Sequence, residues 1–219
     1  MTGIVVGSGF PVILSAPSGG GKTTIAKLLL ARRPDLGYSV SCTTRSPRPG
    51  EIPGTDYYFI SRAEFIAERE RDAFAESAVV HGNLYGTLRR EVDRLIAAGK
   101  HVVMDIDVQG AIQFMRAFPQ SVTIFILPPS AEVLLDRLRA RKTESPAQLA
   151  ARLQSALQEL QQVGEYEYVV VNDDLERAVA SVGSIVDAET VSRERVKNLR
   201  QQVALLIERL ELEIENTTP

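Results

Sequence analysis

Apolar residues along this chain fall into two recurring arrangements. In four places they form short unbroken runs rich in β-branched residues: Val12–Ser15, Val102–Asp105, Val122–Leu127 and Tyr168–Val171. Longer stretches with helical spacing separate them. Unbroken apolar strands that alternate with helices predict an α/β fold whose parallel sheet is covered on both faces. From Tyr38 to about Gly86 the pattern changes to short alternating segments broken by Pro47, Pro49, Gly50, Pro53 and Gly54. One clear helix interrupts them, opening at the capping box Ser61-x-x-Glu64. This stretch is expected to form a small β-rich insertion over the sheet. A second box, Ser145-Pro146-Ala147-Gln148, has proline at the first helical position and predicts a long helix toward Gln162. The segment from Arg137 to Pro146 then joins two helices, where a mobile lid would sit.

The last pattern is a stripe. Val196, Leu199, Val203, Leu206 and Leu210 alternate spacings of three and four with charges between them, predicting an amphipathic helix from about Val191 to Ile214. Packing on its own domain is the ordinary use of such a stripe. Pairing of two copies into a homodimer is the alternative. The expected organisation is a core of residues 1–40 and 98–188 with a lid at about 137–152, an insertion at 41–97, and a C-terminal helix and tail at 189–219.

Composition narrows the setting. The chain has 219 residues, a formal net charge of −3 with both signs interspersed, and no apolar run long enough for a membrane span. It does not read as a general binder of nucleic acid or membranes. Cys42 is the only cysteine, so no internal disulfide is available and a reducing cytoplasm is the natural setting. Cys42 has no general base beside it in sequence and reads as a packed core residue. His81 and His101 have no metal-ligand spacing and take the same plain reading.

The chemistry begins after the first apolar run. Ala16-Pro17-Ser18-Gly19-Gly20-Gly21-Lys22-Thr23-Thr24 stands between a strand pattern and a helical one, the context that makes a G-x-x-x-x-G-K-[ST] match a nucleotide phosphate-binding loop. Glycines let several backbone N–H groups converge on phosphate oxygens, and the following helix adds unpaired donors and partial positive charge. Lys22 supplies a compact cation, and the Thr23 hydroxyl is a candidate Mg²⁺ ligand. Ala16 replaces the first glycine, which requires that residue to have ordinary backbone angles.

The insertion holds Ser41-Cys42-Thr43-Thr44-Arg45-Ser46-Pro47-Arg48-Pro49-Gly50-Glu51, with two arginines suited to bidentate capture of phosphate. Asp56-Tyr57-Tyr58-Phe59, Glu76 and Tyr85-Gly86-Thr87 follow. Then comes the strand ending Asp105-Ile106-Asp107-Val108-Gln109-Gly110, whose carboxylates at a sheet's carboxyl edge can line a ligand crevice or hold Mg²⁺. These motifs, with the phosphate loop, an arginine-rich lid and Val171-Asn172-Asp173-Asp174-Leu175, resemble the guanylate kinase family in order and spacing, from about Phe10 to Val186.

The resemblance implies a P-loop nucleoside-monophosphate kinase fold and Mg²⁺-dependent transfer of the ATP γ-phosphoryl to GMP. By resemblance, Arg45, Arg48, Tyr57 and Tyr85 hold the GMP phosphate, and Ser41, Glu76 and Thr87 read guanine. Asp105 and Asp107 lie between the nucleotides, with Asp105 joining Thr23 near Mg²⁺; which carboxylate faces the metal and which faces GMP stays open. Arg137, Arg141 and Arg152 match lid arginines that act with Lys22 and Arg45 on the transferring group, and Asn172 matches an adenine-side contact. Two rivals remain: a kinase-like binding module without phosphoryl transfer, which would not need an intact Gly21-Lys22-Thr23, and a kinase for another phosphorylated substrate.

Overall fold

A computed structural model describes residues 9–80, 82–139 and 146–217. In chain order its elements are β1 (Pro11–Ser15), α1 (Lys22–Arg32), β2 (Leu36–Tyr38), β3 (Cys42–Thr43), β4 (Tyr58–Phe59), α2 (Arg62–Glu70), β5 (Phe74–Val80), β6 (Asn83–Leu88), α3 (Arg89–Ala97), β7 (His101–Asp105), α4 (Val108–Ala117), β8 (Val122–Leu127), α5 (Ala131–Arg139), α6 (Pro146–Leu160), β9 (Tyr168–Val171), α7 (Leu175–Thr190) and α8 (Leu199–Thr217).

The central sheet runs β2-β7-β1-β8-β9 with every pairing parallel. Its period-2 alternation divides β1 between two cores. Val12 and Leu14 pack with Ile25 and Leu29 of α1 and Val179, Val182 and Val186 of α7. Ile13 packs on the opposite face with Val92 of α3 and Val108 and Phe114 of α4. In β1, β7 and β8 the unbroken apolar runs thus reflect burial on both faces, whereas Val169 and Val171 of the edge strand β9 are exposed. All four expected strands are present, and β2 adds a fifth at one edge of the sheet, where Leu-Gly-Tyr is too short to show a period.

A second sheet, β4-β3-β6-β5, stands apart and has a small core of Cys42, Phe65, Phe74, Leu84 and Leu88. The first capping box forms as expected: Ser61 Oγ accepts from the Glu64 N–H at 3.1 Å, and Glu64 Oε2 accepts from the Ser61 N–H at 2.8 Å. Ser145 of the second box lies outside the described residues. Cys42 is buried in that core, which pushes its thiol up to about 12. His101 is buried against the Phe10 ring, with centroids 4.2 Å apart; His81 lies outside the described residues.

The C-terminal helix departs from expectation twice. It begins at Leu199 rather than Val191, because Val196 is extended and Asn198 takes a left-handed φ of 56°. No residue of α8 is buried, so its stripe does not pack on its own domain.

Candidate active site

The phosphate loop lies at the carboxyl end of β1. Gly19 and Gly21 have φ of +83° and +93°, where a side chain would be strained. At Gly20 an added Cβ would stand 2.7 Å from the Ala16 Cβ and 2.9 Å from the Pro17 carbonyl oxygen. Ala16 has no positive φ: among the described residues only Asp72 and Asn198 do so without being glycine. The alanine therefore fits where the pattern expects the first glycine.

The loop is braced by the residue that follows β9 and by α6. Asn172, immediately after β9, is buried and donates through Nδ2 to the Gly20 carbonyl at 2.9 Å. This qualifies the adenine-side reading of Asn172, because its amide donor is turned to the loop. The Ser18 N–H donates to Glu159 Oε2 of α6 at 2.9 Å, while Ser18 Oγ accepts from Arg152 at 3.4 Å. Burial raises the Glu159 carboxyl above its usual range, opposed by the Ser18 bond and by the charge of Lys22. Arg152 is buried and also donates to the Leu138 carbonyl at 2.9 Å. Arg137 of α5 donates to the Asn172 carbonyl at 3.4 Å, and its Nη1 is buried with no hydrogen-bond partner among the described residues. Arg141 lies outside the described residues.

Lys22, Thr23 and Thr24 open α1, aiming its first-turn donors at the loop. Thr23 Oγ1 donates to Asp105 Oδ2 at 2.5 Å, and the Tyr38 hydroxyl donates to Asp105 Oδ1 at 2.6 Å. Burial foremost, then the Asp105 charge, drives the Tyr38 hydroxyl pKa far upward, so it stays a donor. Asp107 does something different. It caps α4, its Oδ1 accepting from the Gly110 N–H at 2.8 Å. The two carboxylates at the end of β7 are thus divided, Asp105 toward the phosphate loop and Asp107 toward the insertion.

The insertion sheet owes its chemistry to one irregularity. Phe74 pairs with Leu88, but Glu76 pairs with Thr87, so β5 carries one extra residue. In a regular strand Glu76 would share the face of Phe74, in the small core. The bulge turns it to the opposite face beside Thr87 and Tyr85. There Thr87 Oγ1 donates to Glu76 Oε1 at 2.7 Å and lies 3.3 Å from Ser41 Oγ. Glu76 is 6% exposed, and burial pushes its carboxyl up to about 7, aided by the Asp107 charge and opposed by the Thr87 bond. Gly110 makes room for it, since a Cβ there would stand 2.8 Å from Glu76 Oε2.

On the same face, Arg45 forms a bidentate pair with Glu51 at 2.8 Å per bond and donates through Nε to the Tyr85 hydroxyl at 3.1 Å. Its guanidinium lies 5.4 Å from the Tyr57 ring centroid. Glu51 Oε2 also accepts from the Arg48 N–H at 2.7 Å, fixing the turn. These bonds and the adjacent arginines hold the Glu51 carboxyl down at about 2. Thr23, Tyr38, Arg48, Glu51, Tyr57 and Asp105 line one cleft of about 530 Å³ between the phosphate loop and the insertion. A hollow of about 590 Å³ behind the insertion, under Cys42 and Arg90, touches none of this machinery.

Tyr38, Glu51 and Glu159 had no assigned role in the sequence. Glu51 carried a usable signal, three residues after Arg48 in a Pro-Gly turn. Tyr38 and Glu159 carried none, since their partners lie 67 and 141 residues away.

Comparison with known proteins agrees with this geometry. The guanylate kinase family pattern matches residues 8–189. The guanylate kinase of Caldanaerobacter subterraneus is 45% identical over 87% of this chain and 93% of its own length. That of Desulfitobacterium hafniense is 48% identical over 83% and 90%. The crystal structure of guanylate kinase from Anaplasma phagocytophilum superposes with a TM-score of 0.75 at 35% identity, covering 90% of this chain and 94% of that one. With a phosphate loop at one wall of the cleft and an arginine–tyrosine cluster beside a buried carboxylate at the other, the chain belongs to the guanylate kinase family.

Proposed function

We propose that this chain transfers the γ-phosphoryl group of ATP to the phosphate of GMP, and of dGMP, giving ADP and the diphosphate. The β–γ bridging P–O bond breaks, and a bond forms from a GMP phosphate oxygen to the transferred phosphorus. The attacking oxygen is already anionic, so the step needs no general base and no covalent enzyme intermediate. Positioning and charge carry the catalysis. The loop from Ala16 to Thr24 cradles the ATP phosphates, with Lys22 on the transferring group. Arg45, Arg48, Tyr57 and Tyr85 hold the acceptor phosphate. Arg137, Arg141 and Arg152 bring positive charge from the lid, and the unpartnered Nη1 of Arg137 supports this reading because a buried guanidinium N–H calls for an anion. Residues 41–97 serve as the GMP-binding unit and 137–152 as the lid.

Mg²⁺ fits the oxygens present. Thr23 Oγ1 and Asp105 Oδ2 are hard donors side by side, and the described residues contain no cluster of three or more His, Cys, Asp or Glu side chains able to hold a metal. A site completed by substrate phosphates and water is the usual pattern for this ion. Bound there, Mg²⁺ would neutralise charge on the phosphate oxygens.

The observation that carries the substrate assignment is Glu76. One of its oxygens is engaged by Thr87, and the carboxylate is buried where N–H donors would be its natural complement. Guanine offers N1–H and a 2-amino group; adenine offers a bare acceptor at N1. A coupled assay with GMP, dGMP, AMP, UMP and a ribose bisphosphate tests the reading. GMP should exceed AMP by about 10⁴-fold in kcat/KM, since a mismatched nucleotide leaves the buried carboxylate unsatisfied. Equal use of AMP overturns the guanine assignment. Among the described residues no helix is long and apolar enough to cross a membrane. We place the enzyme in the cytoplasm, on the support of that observation and its single cysteine.

A further inference from the structure

Two side chains of α6 meet at one residue of the phosphate loop. Arg152, Ser155 and Glu159 are spaced three and four apart, so they share one face of the helix. From that face Arg152 donates to Ser18 Oγ at 3.4 Å, and Glu159 Oε2 accepts from the Ser18 N–H at 2.9 Å. The Ser155 hydroxyl, one turn back, donates to the other Glu159 oxygen at 3.3 Å. Ser18 stands where the loop has two forms open to it. The Gly20 N–H donates to the Pro17 carbonyl at 2.7 Å, closing a turn with Ser18 and Gly19 at its centre. Gly19 has φ of +83° and Ser18 has no positive φ, which is the type II form. Type I differs by a rotation of the central peptide: ψ of the second residue goes from about +120° to about −30°, and φ of the third from about +80° to about −90°. Glycine accepts both signs of φ, so Gly19 does not choose between the forms. The contacts from α6 fall on Ser18, the residue whose ψ would have to turn.

We propose that Glu159 is a positioning residue for phosphoryl transfer: by holding the Ser18 N–H it keeps the phosphate loop in its type II form before ATP binds. This role rests on the reading of residues 16–24 as the ATP site. A carboxylate is a costly acceptor beside a loop that is to receive a polyphosphate of the same sign, but it makes a stronger bond to an N–H than a neutral acceptor does. Without that bond the loop divides between its two forms. ATP must then select one of them, and its apparent affinity falls by the fraction of the loop in the other. The acceptor side of the cleft is untouched, because Glu159 contacts the loop and its own helix only.

Titration calorimetry with ATP and Mg²⁺, in the absence of GMP, tests this on the full chain. Glu159→Ala should weaken ATP binding about tenfold, the scale of one charge-assisted hydrogen bond, while KM for GMP holds. Glu159→Gln, whose amide oxygen still accepts from the Ser18 N–H, should recover ATP affinity to within about threefold of wild type, the difference between a charged and a neutral acceptor. Wild-type ATP affinity in Glu159→Ala overturns the proposal. An equal loss in both variants overturns it too, since the charge and not the bond would then be responsible. So does a rise in KM for GMP that matches the loss for ATP, the mark of a general loosening of the fold. The binding measurement needs no acceptor. A wild-type chain that binds ATP yet does not phosphorylate GMP overturns the guanine assignment and not the role of Glu159, whereas a wild-type chain that does not bind ATP overturns both.

Discussion

Under the proposed reaction, the two walls of the cleft would bind phosphate by opposite means. The ATP wall is backbone: amides of a glycine loop, two of its glycines at positive φ, braced through the Gly20 carbonyl by Asn172. The GMP wall is side chains, already bound to one another, with Arg45 on Glu51 and Tyr85, and Glu76 on Thr87. A backbone cradle recognises a phosphate chain and little else, because amides repeat without identity. A side-chain wall can reject a wrong base, because each group has a fixed donor or acceptor character. Generality and selectivity therefore reside in separate parts of the molecule, and substitutions should separate them.

The largest effect is expected on the ATP wall. Lys22→Ala should lower kcat by about 10³-fold or more, because the cation acts on charge that spreads in the transition state. The thermal transition should stay near wild type, since Lys22 is not part of either hydrophobic cluster around the sheet. GMP should remain preferred over AMP in the residual activity. Retention of most of kcat would remove the phosphate-loop assignment.

Glu76→Gln tests the other wall. It should cut kcat/KM for GMP by about 10²-fold, the scale of losing charge-assisted hydrogen bonds in a buried site. It should also change a pH profile. Glu76 titrates at about 7 in the empty site, so below that pH it holds a proton that guanine's donors must expel. Wild-type kcat/KM for GMP should fall as pH drops below about 7, and that fall should be absent in the variant. Stability runs the other way. A carboxyl raised from 4.5 to about 7 costs the fold more as pH rises through that interval. The empty wild-type protein should lose stability between those values, and Glu76→Gln should flatten the curve. A wild-type profile identical to the variant's would show that Glu76 is not the base reader.

A smaller loss should follow Glu51→Gln. Arg45 has five N–H donors, and in the empty site Glu51 takes two of them while also fixing the Arg48 turn. Without the carboxylate the turn loosens, and KM for GMP should rise about tenfold while KM for ATP holds, the equivalent of about one charge-assisted bond. Equal rises in both constants would place Glu51 outside the acceptor wall.

The contrast between the walls also explains what could be read from sequence. The phosphate loop was legible because it is local: strand, glycines and helix start lie within about a dozen residues, and the chemistry is backbone. The inner sheet strands β7, β1 and β8 were legible for the same reason, since burial on both faces writes itself as unbroken apolar runs. Glu76 was legible only by resemblance. Alternation alone puts it on the face of Phe74, and the bulge that reverses it leaves no mark in the pattern. Asn172 stood out in the sequence, but its bond to the Gly20 carbonyl did not, because sequence cannot show which way an amide turns. The α8 stripe announced a face to be covered and said nothing about what covers it. The α7 stripe, no more distinctive in sequence, buries Ala178, Val179, Val182 and Val186.

The smallest expected effect joins the two walls. Asp105 is held between Thr23 of the phosphate loop and Tyr38 at the edge of the cleft. Tyr38→Phe removes one of these bonds and leaves the ring in place. Asp105 then keeps the Thr23 contact but gains freedom to rotate about it. A single hydrogen bond contributes about 1 kcal/mol net, so kcat should fall about fivefold. The readout that separates positioning from mere packing is the Mg²⁺ dependence: half-maximal activity should require more Mg²⁺ in the variant, with KM for GMP unchanged. A variant with a lowered thermal transition and an unaltered Mg²⁺ curve would make Tyr38 a packing residue. A raised KM for GMP at wild-type Mg²⁺ response would assign it, and Asp105 with it, to the acceptor wall.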